Sequence, residues 1–207
     1  MDCDVLIAGA GPAGLLLAIE LARRGIHCRI VDAAICPFDG SRGKGLQPRT
    51  LEIFDHIGIA SNVAAQAMHY PRMRIHAGPI SFRIGSLGSD YPATPLLPWP
   101  NLLMLRQADT ERILREKLAE LGVQPEFGKA LVSFRQSGTS VEVEIASGEL
   151  VRARYLVGCD GGRSTVRKAL DIPLIGESLD NKESVVADVE IPDLDWSEWH
   201  NWLTWKV

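Results

Sequence analysis

Hydrophobic and polar residues alternate in different rhythms along this chain, and these rhythms predict an α/β fold. An unbroken apolar run at 3–9 is typical of a parallel strand that is buried on both faces. The next segment, 12–24, carries apolar residues at helical spacing and is followed by Gly25, a common residue after a helix. A second apolar run at 27–32 predicts another parallel strand, so the chain begins with a strand–helix–strand unit.

The rest of the pattern predicts three further helices, two short strands, a three-stranded meander and a later strand, together with a proline-rich passage. The expected elements are helices at about 48–57, 109–121 and 163–170, short strands at 72–77 and 80–84, meander strands at 130–135, 140–145 and 150–157, and a strand near 184–190. Four prolines between 92 and 100 exclude regular structure there and mark a lobe boundary or a cover loop. The tail carries Trp196, Trp199, Trp202 and Trp205, which suit either a strand or loop of a second lobe or an aromatic stripe on a helix.

Composition narrows the class of protein. The 207 residues are 46% hydrophobic and 23% charged, and the net charge of -4 argues against a nucleic-acid partner. No apolar run reaches the length of a membrane span, and the apolar start lacks the basic flank of a signal peptide. The four cysteines form no CxxC pair, so we expect free thiols in a reducing cytoplasm rather than a zinc site.

A glycine motif near the start predicts a dinucleotide site. Gly9-x-Gly11-x-x-Gly14 follows the first strand and opens the first helix, with Pro12 and Ala13 at the helix start. The spacing suits a tight turn, close approach of a pyrophosphate and close packing of helix on strand. Asp32 ends the second strand, where a carboxylate accepts hydrogen bonds from ribose hydroxyls. The alternative is a purely structural turn with a surface aspartate, and the motif does not separate FAD from NAD.

Two further segments carry candidate chemistry. The basic, glycine-containing stretch at 41–50, with Arg42, suits an anionic ligand or is a solvated loop. The segment 158–167 again places a carboxylate, Asp160, and glycines between a strand and a helix. It predicts either a phosphate or ribityl site or a helix cap made by Asp160 or Ser164. No GxSxG, HExxH or histidine ligand spacing indicates a hydrolase or a metal site.

Together these elements resemble the class A flavoprotein monooxygenases, the para-hydroxybenzoate hydroxylase-like family. The match comprises the Gly9–Gly14 motif, the 42–52 segment, Gln107 at the head of a helix, and the 158–167 segment, in that order. The resemblance implies a Rossmann-like FAD-binding domain of the glutathione reductase type with a β-meander, and the start of a β-rich substrate lobe. The implied domains are 1–70 with 101–175 for FAD and 71–100 with 176–207 for a partial substrate lobe.

The resemblance also implies which residues hold an extended FAD. The turn would hold the pyrophosphate, Asp32 the adenosine ribose, Arg42 and Gln107 would line the cofactor, and Asp160 would lie near the pyrophosphate. The turn residues concerned are Gly9, Gly11, Pro12, Ala13 and Gly14. NADPH or NADH would reduce the flavin, and dioxygen would form a flavin C4a-hydroperoxide that hydroxylates a phenolic or polyketide-type aromatic. No residue is assigned as the catalytic acid or base, and the oligomeric state stays open.

Two departures from the family pattern qualify this expectation. Ala33 follows Asp32 where the family often has arginine, and the family's later Gly-Asp motif has no counterpart in the chain. The sequence therefore resembles the N-terminal portion of a hydroxylase. The alternative function is a truncated, non-catalytic FAD-binding module that needs a second chain or a missing C-terminal half. A flavin halogenase or FAD-linked reductase is a third reading, although a halogenase's Trp-containing motif is absent.

Overall fold

The computed structural model describes residues 1–40, 43–86, 88, 91–176, 187, 189–195 and 197–204. These residues form two compact units. The first unit contains the described residues of Met1–Gly40 and Ala108–Val185, and the second contains those of Ser41–Gln107 and Val186–Val207. In chain order the elements are β1 (Cys3–Ala8), α1 (Pro12–Ala22), β2 (Cys28–Val31), β3 (Gly45–Leu46), α2 (Pro48–His56), α3 (Ala60–Gln66), β4 (Met68–His69), β5 (Arg72–Ala77), β6 (Ile80–Ser86), β7 (Leu103–Met104), α4 (Gln107–Glu120), β8 (Leu131–Ser137), β9 (Ser140–Ile145), β10 (Leu150–Gly158), α5 (Thr165–Ala169) and β11 (Glu198–Leu203).

The first unit is built on a five-stranded sheet in the order β2-β1-β10-β9-β8. β1 runs parallel to both β2 and β10, and the meander strands β8, β9 and β10 pair antiparallel. The apolar runs predicted to be buried are buried: Leu6, Ile7 and Ile30 have no exposed surface. The alternating strand β9 buries Val141, Val143 and Ile145 and exposes the residues between them, because only one face of the meander packs on the core.

Strand β10 has two different partners along its length. Its first part, Leu150–Ala153, pairs with β9, and from Ala153 to Gly158 it pairs with β1. Among the described residues, no strand pairs with the remaining side of the second part. The opposite edge of the sheet is covered, because Glu126 exchanges backbone hydrogen bonds with Ile30 and Asp32 at 2.9 Å each. The two edges of the parallel sheet therefore differ in how many of their backbone N–H and C=O groups are hydrogen-bonded to other described residues.

The second unit contains two small sheets, β11-β5-β6 and β3-β7-β4, and the helices α2 and α3. β11 runs parallel to β5, and β5 pairs antiparallel with β6. The register gives the β11-β5-β6 sheet two faces of different character. The polar face carries Arg72, Arg74, His76, Ser81, Arg83, Glu198, His200 and Trp202. The apolar face carries Met73, Ile75, Ala77, Ile80, Phe82, Ile84, Trp199, Asn201 and Leu203.

The predicted helices, the meander strands and the short strands at 72–77 and 80–84 are confirmed, and only the shortest elements were missed. No local pattern predicts α3 or the two-residue strands β3, β4 and β7, which tertiary pairing defines. The proline-rich stretch carries no helix or strand in its described residues, and only an isolated bridge joins Thr94 to Leu97. The strand predicted near 184–190 lies mainly outside the described residues, and residues 187, 189 and 190 are not in a strand. Of the two alternatives for the tryptophan tail, the strand is correct over β11; Trp196 and Trp205 lie outside the described residues.

Among the described residues, none of the helices combines the length and apolar character that crossing a bilayer requires.

Candidate functional site: a glycine turn at the carboxyl edge of the parallel strands

The turn between β1 and α1 needs glycine at two positions for reasons of space. Gly9 has φ +107°, and a Cβ there would overlap the carbonyl oxygen of Cys159. A Cβ at Gly14 would overlap the carbonyl oxygen of Gly9, because α1 packs directly on the turn. At Gly11 no atom of the described residues lies within 4 Å of the position of a Cβ. The turn is thus closed on two sides and open at Gly11, as a cradle for a bulky group would be.

The start of α1 offers hydrogen-bond donors at this open side. Gly11 is the N-cap, and because glycine has no side chain it brings no side-chain oxygen to the helix end. Pro12 has no N–H group, so the backbone N–H groups of Ala13 and Gly14 are the first donors of the helix. The first-turn N–H groups of a helix have no partner within the helix, and the helix dipole adds positive potential there. The geometry fits an anionic group such as a pyrophosphate.

Asp32 lies beside the same turn. Its Oδ2 accepts a hydrogen bond from the Ala10 N–H at 2.6 Å, and its Oδ1 accepts one from the Ala34 N–H at 2.8 Å. The carboxylate therefore fixes the glycine turn against the end of β2. Each carboxylate oxygen accepts more than one hydrogen bond, so capacity remains for hydroxyl donors such as those of a ribose.

In the turn formed by the second glycine motif, side chains of the motif itself accept hydrogen bonds from the start of α5. Asp160 Oδ2 accepts from the N–H groups of Thr165 at 2.6 Å and Val166 at 3.2 Å. Ser164 is the N-cap of α5 and accepts from the Arg167 N–H at 2.9 Å. The capping alternative for Asp160 and Ser164 is therefore present in the structure. Asp160 Oδ1 is buried and has no hydrogen-bond partner among the described residues.

The environment of Asp160 favours its ionised form. Burial raises the pKa of this carboxyl, but hydrogen bonds from the Ser164 side chain and from the backbone of Val166 and Thr165 outweigh burial, and the net pKa is lowered. Asp160 is thus a fixed negative charge with one oxygen that accepts nothing from the described residues.

The two turns meet at one edge of the sheet. The Cys159 N–H donates to the Ala8 carbonyl at 2.7 Å, and the Cys159–Asp160 peptide packs against Gly9. The structure therefore brings together the Gly9–Gly14 turn, Asp32 and Asp160, which the sequence predicted as members of one site. It does so because the carboxyl ends of parallel strands lie side by side.

The remaining predicted residues belong to the second unit. Arg42 lies outside the described residues. Gln107 begins α4, and its Oε1 lies 3.9 Å from the position of a Cβ at Gly43. Gln107 and the 43–47 segment are therefore neighbours within this unit.

Sequence reasoning missed an aromatic cluster around Lys44. The Lys44 Nζ lies 4.5 Å from the centre of the Trp199 ring, a cation–π distance, and Tyr70 lies 5.8 Å from the same ring. Trp199 was visible in the sequence only as one member of the tryptophan tail. The signal that would have found it is the alternation of β11, which places Trp199 on the apolar face.

A surface cavity of about 670 Å³ in the first unit lies apart from these predicted residues. Its lining includes Phe134, Tyr155, Leu156, Val166 and Leu170. It lies along the part of β10 that pairs with β1 alone among the described strands.

The described residues contain no group of three or more histidine, cysteine or acidic side chains placed to hold a metal ion. The four cysteines are free, and burial raises the pKa of the Cys3, Cys28 and Cys159 thiols.

Comparison with known proteins agrees with this geometry. The family model described as "FAD binding domain" matches residues 2–205. A flavin-dependent monooxygenase of Mycobacteroides abscessus is 44% identical over 95% of this chain and 43% of its own length. A 6-methylpretetramide 4-monooxygenase of Streptomyces rimosus is 38% identical over 91% of this chain and 34% of its own length.

Solved structures are similar as well. The flavin-dependent monooxygenase PieE, solved in complex with FAD and substrate, superposes with a TM-score of 0.72 at 31% identity, over 83% of this chain and 32% of that one. The Diels-Alderase PyrE3 superposes with a TM-score of 0.68 at 31% identity, over 84% of this chain and 35% of that one. The chain thus spans between a third and about two fifths of the length of these relatives. By sequence, by fold and by the glycine turn that would hold a dinucleotide, the chain belongs to the FAD binding domain family.

Proposed function

We propose that this chain is the FAD-holding portion of a monooxygenase that uses NADPH or NADH and dioxygen to hydroxylate a phenolic or polyketide-type aromatic. The observation that carries the proposal is the open start of α1 at Gly11, flanked by the Asp32 and Asp160 carboxylates. The expected domains, 1–70 with 101–175 and 71–100 with 176–207, are part of this proposal. So is a cytoplasmic location, which the free cysteines favour.

Under this proposal, each predicted residue has its own role in holding FAD. The N–H groups of Ala13 and Gly14 would donate to the pyrophosphate where Gly11 leaves room, with Gly9 and Pro12 shaping the turn. Asp32 would accept from the adenosine ribose, and Asp160 Oδ1 would accept from a hydroxyl of the cofactor. Arg42 and Gln107 would line the cofactor. Bound FAD supplies the redox chemistry with the nicotinamide and dioxygen; the chain's own residues bind it and orient it.

The apolar face of the β11-β5-β6 sheet supports a polycyclic rather than a single-ring substrate. Eight of its nine side chains are apolar, and Ile80, Phe82 and Ile84 are 65%, 49% and 37% exposed. Three strands about 4.8 Å apart and six residues at about 3.3 Å each present an area longer than one aromatic ring. The relatives named for 6-methylpretetramide and anhydrotetracycline agree in kind with such a substrate.

The test is a flavin titration followed by a reduction assay in air. The purified chain is titrated with FAD while flavin fluorescence and the visible spectrum are recorded, and NADPH or NADH is then added with and without a polycyclic phenol. We expect a bound, structured flavin band that bleaches faster when the phenol is present. Bound flavin that neither nicotinamide reduces contradicts activity of this chain and leaves FAD binding intact. Absence of any bound flavin contradicts the FAD-holding role itself.

The second candidate function is a non-catalytic FAD-binding module. The observation that favours it is the side of β10 from Arg154 to Gly158, which pairs with no strand among the described residues. Under this function the chain binds FAD in the titration, and neither NADPH nor NADH reduces the bound flavin. Adding the remaining portion of a close relative as a separate chain would then restore flavin reduction.

A further inference from the structure

Two histidines on the polar face of the β11-β5-β6 sheet are joined directly to each other. His76 Nε2 lies 2.8 Å from His200 Nδ1, across the parallel pair of β5 and β11. The two rings are inclined by 21°, and both are half-buried. Neither belongs to the site described above, and FAD binding assigns them no role.

The hydrogen bonds around the pair fix which nitrogens carry protons. His200 Nε2 lies 3.0 Å from the backbone carbonyl of Asp195, and a carbonyl only accepts. His200 must therefore carry its proton on Nε2, so its Nδ1 is an acceptor while the ring is neutral. It follows that His76 donates from Nε2 to His200 Nδ1.

This arrangement tolerates one added proton and not two. A proton on His76 Nδ1 leaves the His76–His200 hydrogen bond in place and makes it charge-assisted. A second proton, on His200 Nδ1, removes the acceptor of this hydrogen bond and points two N–H groups of two cationic rings at each other, with the nitrogens 2.8 Å and the ring centres 5.1 Å apart.

The charged groups around the pair include two carboxylates, Glu198 and Asp195, and the guanidinium groups of β5 and β6. Glu198 accepts from Arg74 of β5 and from Arg83 of β6, so one carboxylate balances part of two guanidinium charges. Asp195 accepts from the Ser197 side chain and from the Ser197 N–H at 2.9 Å, and these bonds, more than the nearby charges of His200 and Arg74, lower the pKa of its carboxyl. None of these groups supplies a further negative charge between the imidazoles to offset a second proton.

Trp202 covers the pair from the next position on the same face of β11. Its ring lies 4.8 Å from His76 at 11° and 5.5 Å from His200 at 20°, so all three rings are stacked. An indole face stabilises a single imidazolium by a cation–π interaction, which again favours the singly protonated pair.

We propose that His76 and His200 form a proton-operated clamp that holds β11 on β5 while at most one imidazole is protonated and opens when both are. The released strand binds one more proton than the clamped strand, so acidification shifts the equilibrium toward release. On the opposite face of β11, opening withdraws Trp199 from Lys44 and Tyr70.

Amide hydrogen exchange by NMR tests the clamp without FAD or turnover. Protection of the β11 amides, corrected for the intrinsic pH dependence of exchange, is compared at about pH 7.5 and about pH 5. We expect β11 protection to fall by about tenfold or more at the lower pH, while the β1 amides of the first unit keep theirs. Equal β11 protection at both pH values would overturn the proposal.

Two variants and one spectroscopic readout sharpen the test. His76→Gln keeps a donor for His200 Nδ1 but takes up no proton, so the acid-induced loss should shrink to less than about twofold. The matched control, His27→Gln, changes an exposed histidine of the first unit and should keep the full loss. An unchanged loss in His76→Gln contradicts the clamp. If that variant does not fold, the ¹⁵N shifts of the wild-type histidines decide: the Nε2–H tautomer of His200 near neutral pH is required, and the Nδ1–H tautomer overturns the proposal.

Discussion

The two glycine turns of the first unit share a sequence pattern and differ in what happens to the helix that follows. Each lies at the end of a parallel strand and opens a helix. At α1 the N-cap is Gly11, and the first N–H groups of the helix meet no side-chain oxygen. At α5 the corresponding donors are taken by Asp160 and Ser164.

This difference separates a binding turn from a supporting one. An uncapped helix start presents donors and positive potential to a ligand, whereas a capped one has used its donors within the chain. The α5 turn contributes to the site through its Cys159–Asp160 peptide, which packs on Gly9, and through the free Oδ1 of Asp160. A motif of glycines between strand and helix therefore does not by itself say which of the two roles a turn has.

The largest expected effect comes from breaking the close contact that shapes the first turn. Gly14→Ala places a methyl group on the Gly9 carbonyl, and neither backbone segment can move without separating α1 from β1. We expect a loss of about 2–4 kcal/mol in the free energy of unfolding and loss of measurable FAD binding. Urea denaturation and a flavin titration measure the two. Gly162→Ala in the second turn, where a methyl group meets open space, should change stability by less than about 0.5 kcal/mol.

The next largest effect is expected from a substitution that caps α1 with a carboxylate, as α5 is capped in the second turn. Gly11→Asp adds a carboxylate at the N-cap of α1, where the space is open and aspartate is a preferred cap. We expect unchanged or slightly higher stability, by a few tenths of a kcal/mol, with at least about tenfold weaker FAD binding because the donors are taken and the charge repels phosphate. Gly11→Asn, which caps without charge, should fall between the two. Equal FAD affinity in all three proteins would show that the pyrophosphate is held elsewhere.

The smallest effect is expected when the carboxylate that caps α5 in the second turn is removed. Asp160→Ala removes the acceptor of the Thr165 and Val166 N–H groups, and we expect a loss of about 1–2 kcal/mol in the free energy of unfolding. The lowered pKa of Asp160 means that this contribution is present near neutral pH and is lost as the pH falls through the folded-state pKa, below about pH 4. Chemical denaturation at neutral and acidic pH measures both. A wild-type advantage that persists undiminished once the carboxyl is protonated would contradict this account.

Much of the first unit could be predicted because local pattern and tertiary structure agree there. The β1–α1–β2 segment combines buried apolar strands, a proline at the helix start and a glycine after its end, and each feature acts locally. The glycine spacing also predicted a candidate site at the end of β1, where the carboxyl ends of neighbouring parallel strands must be adjacent.

The second unit was harder to predict because its contacts join distant parts of the chain. β11 pairs with β5 across more than a hundred residues, and no local signal chose that register. The tryptophan spacing suited a strand or a helix equally well. The capping role of Asp160 was weighed beside a ligand role, and only the hydrogen bonds to Thr165 and Val166 showed that one of its oxygens is committed to the cap.

The side of β10 that pairs with no strand among the described residues has a practical consequence for anyone handling this chain. From Arg154 to Gly158 it offers a row of backbone donors and acceptors beside apolar side chains, with Tyr155 67% exposed. Such an edge adds a strand from whatever polypeptide reaches it, including another copy of itself. Self-association will therefore compete with any intended partner in proportion to protein concentration, and dilute samples are where the properties of a single copy can be measured.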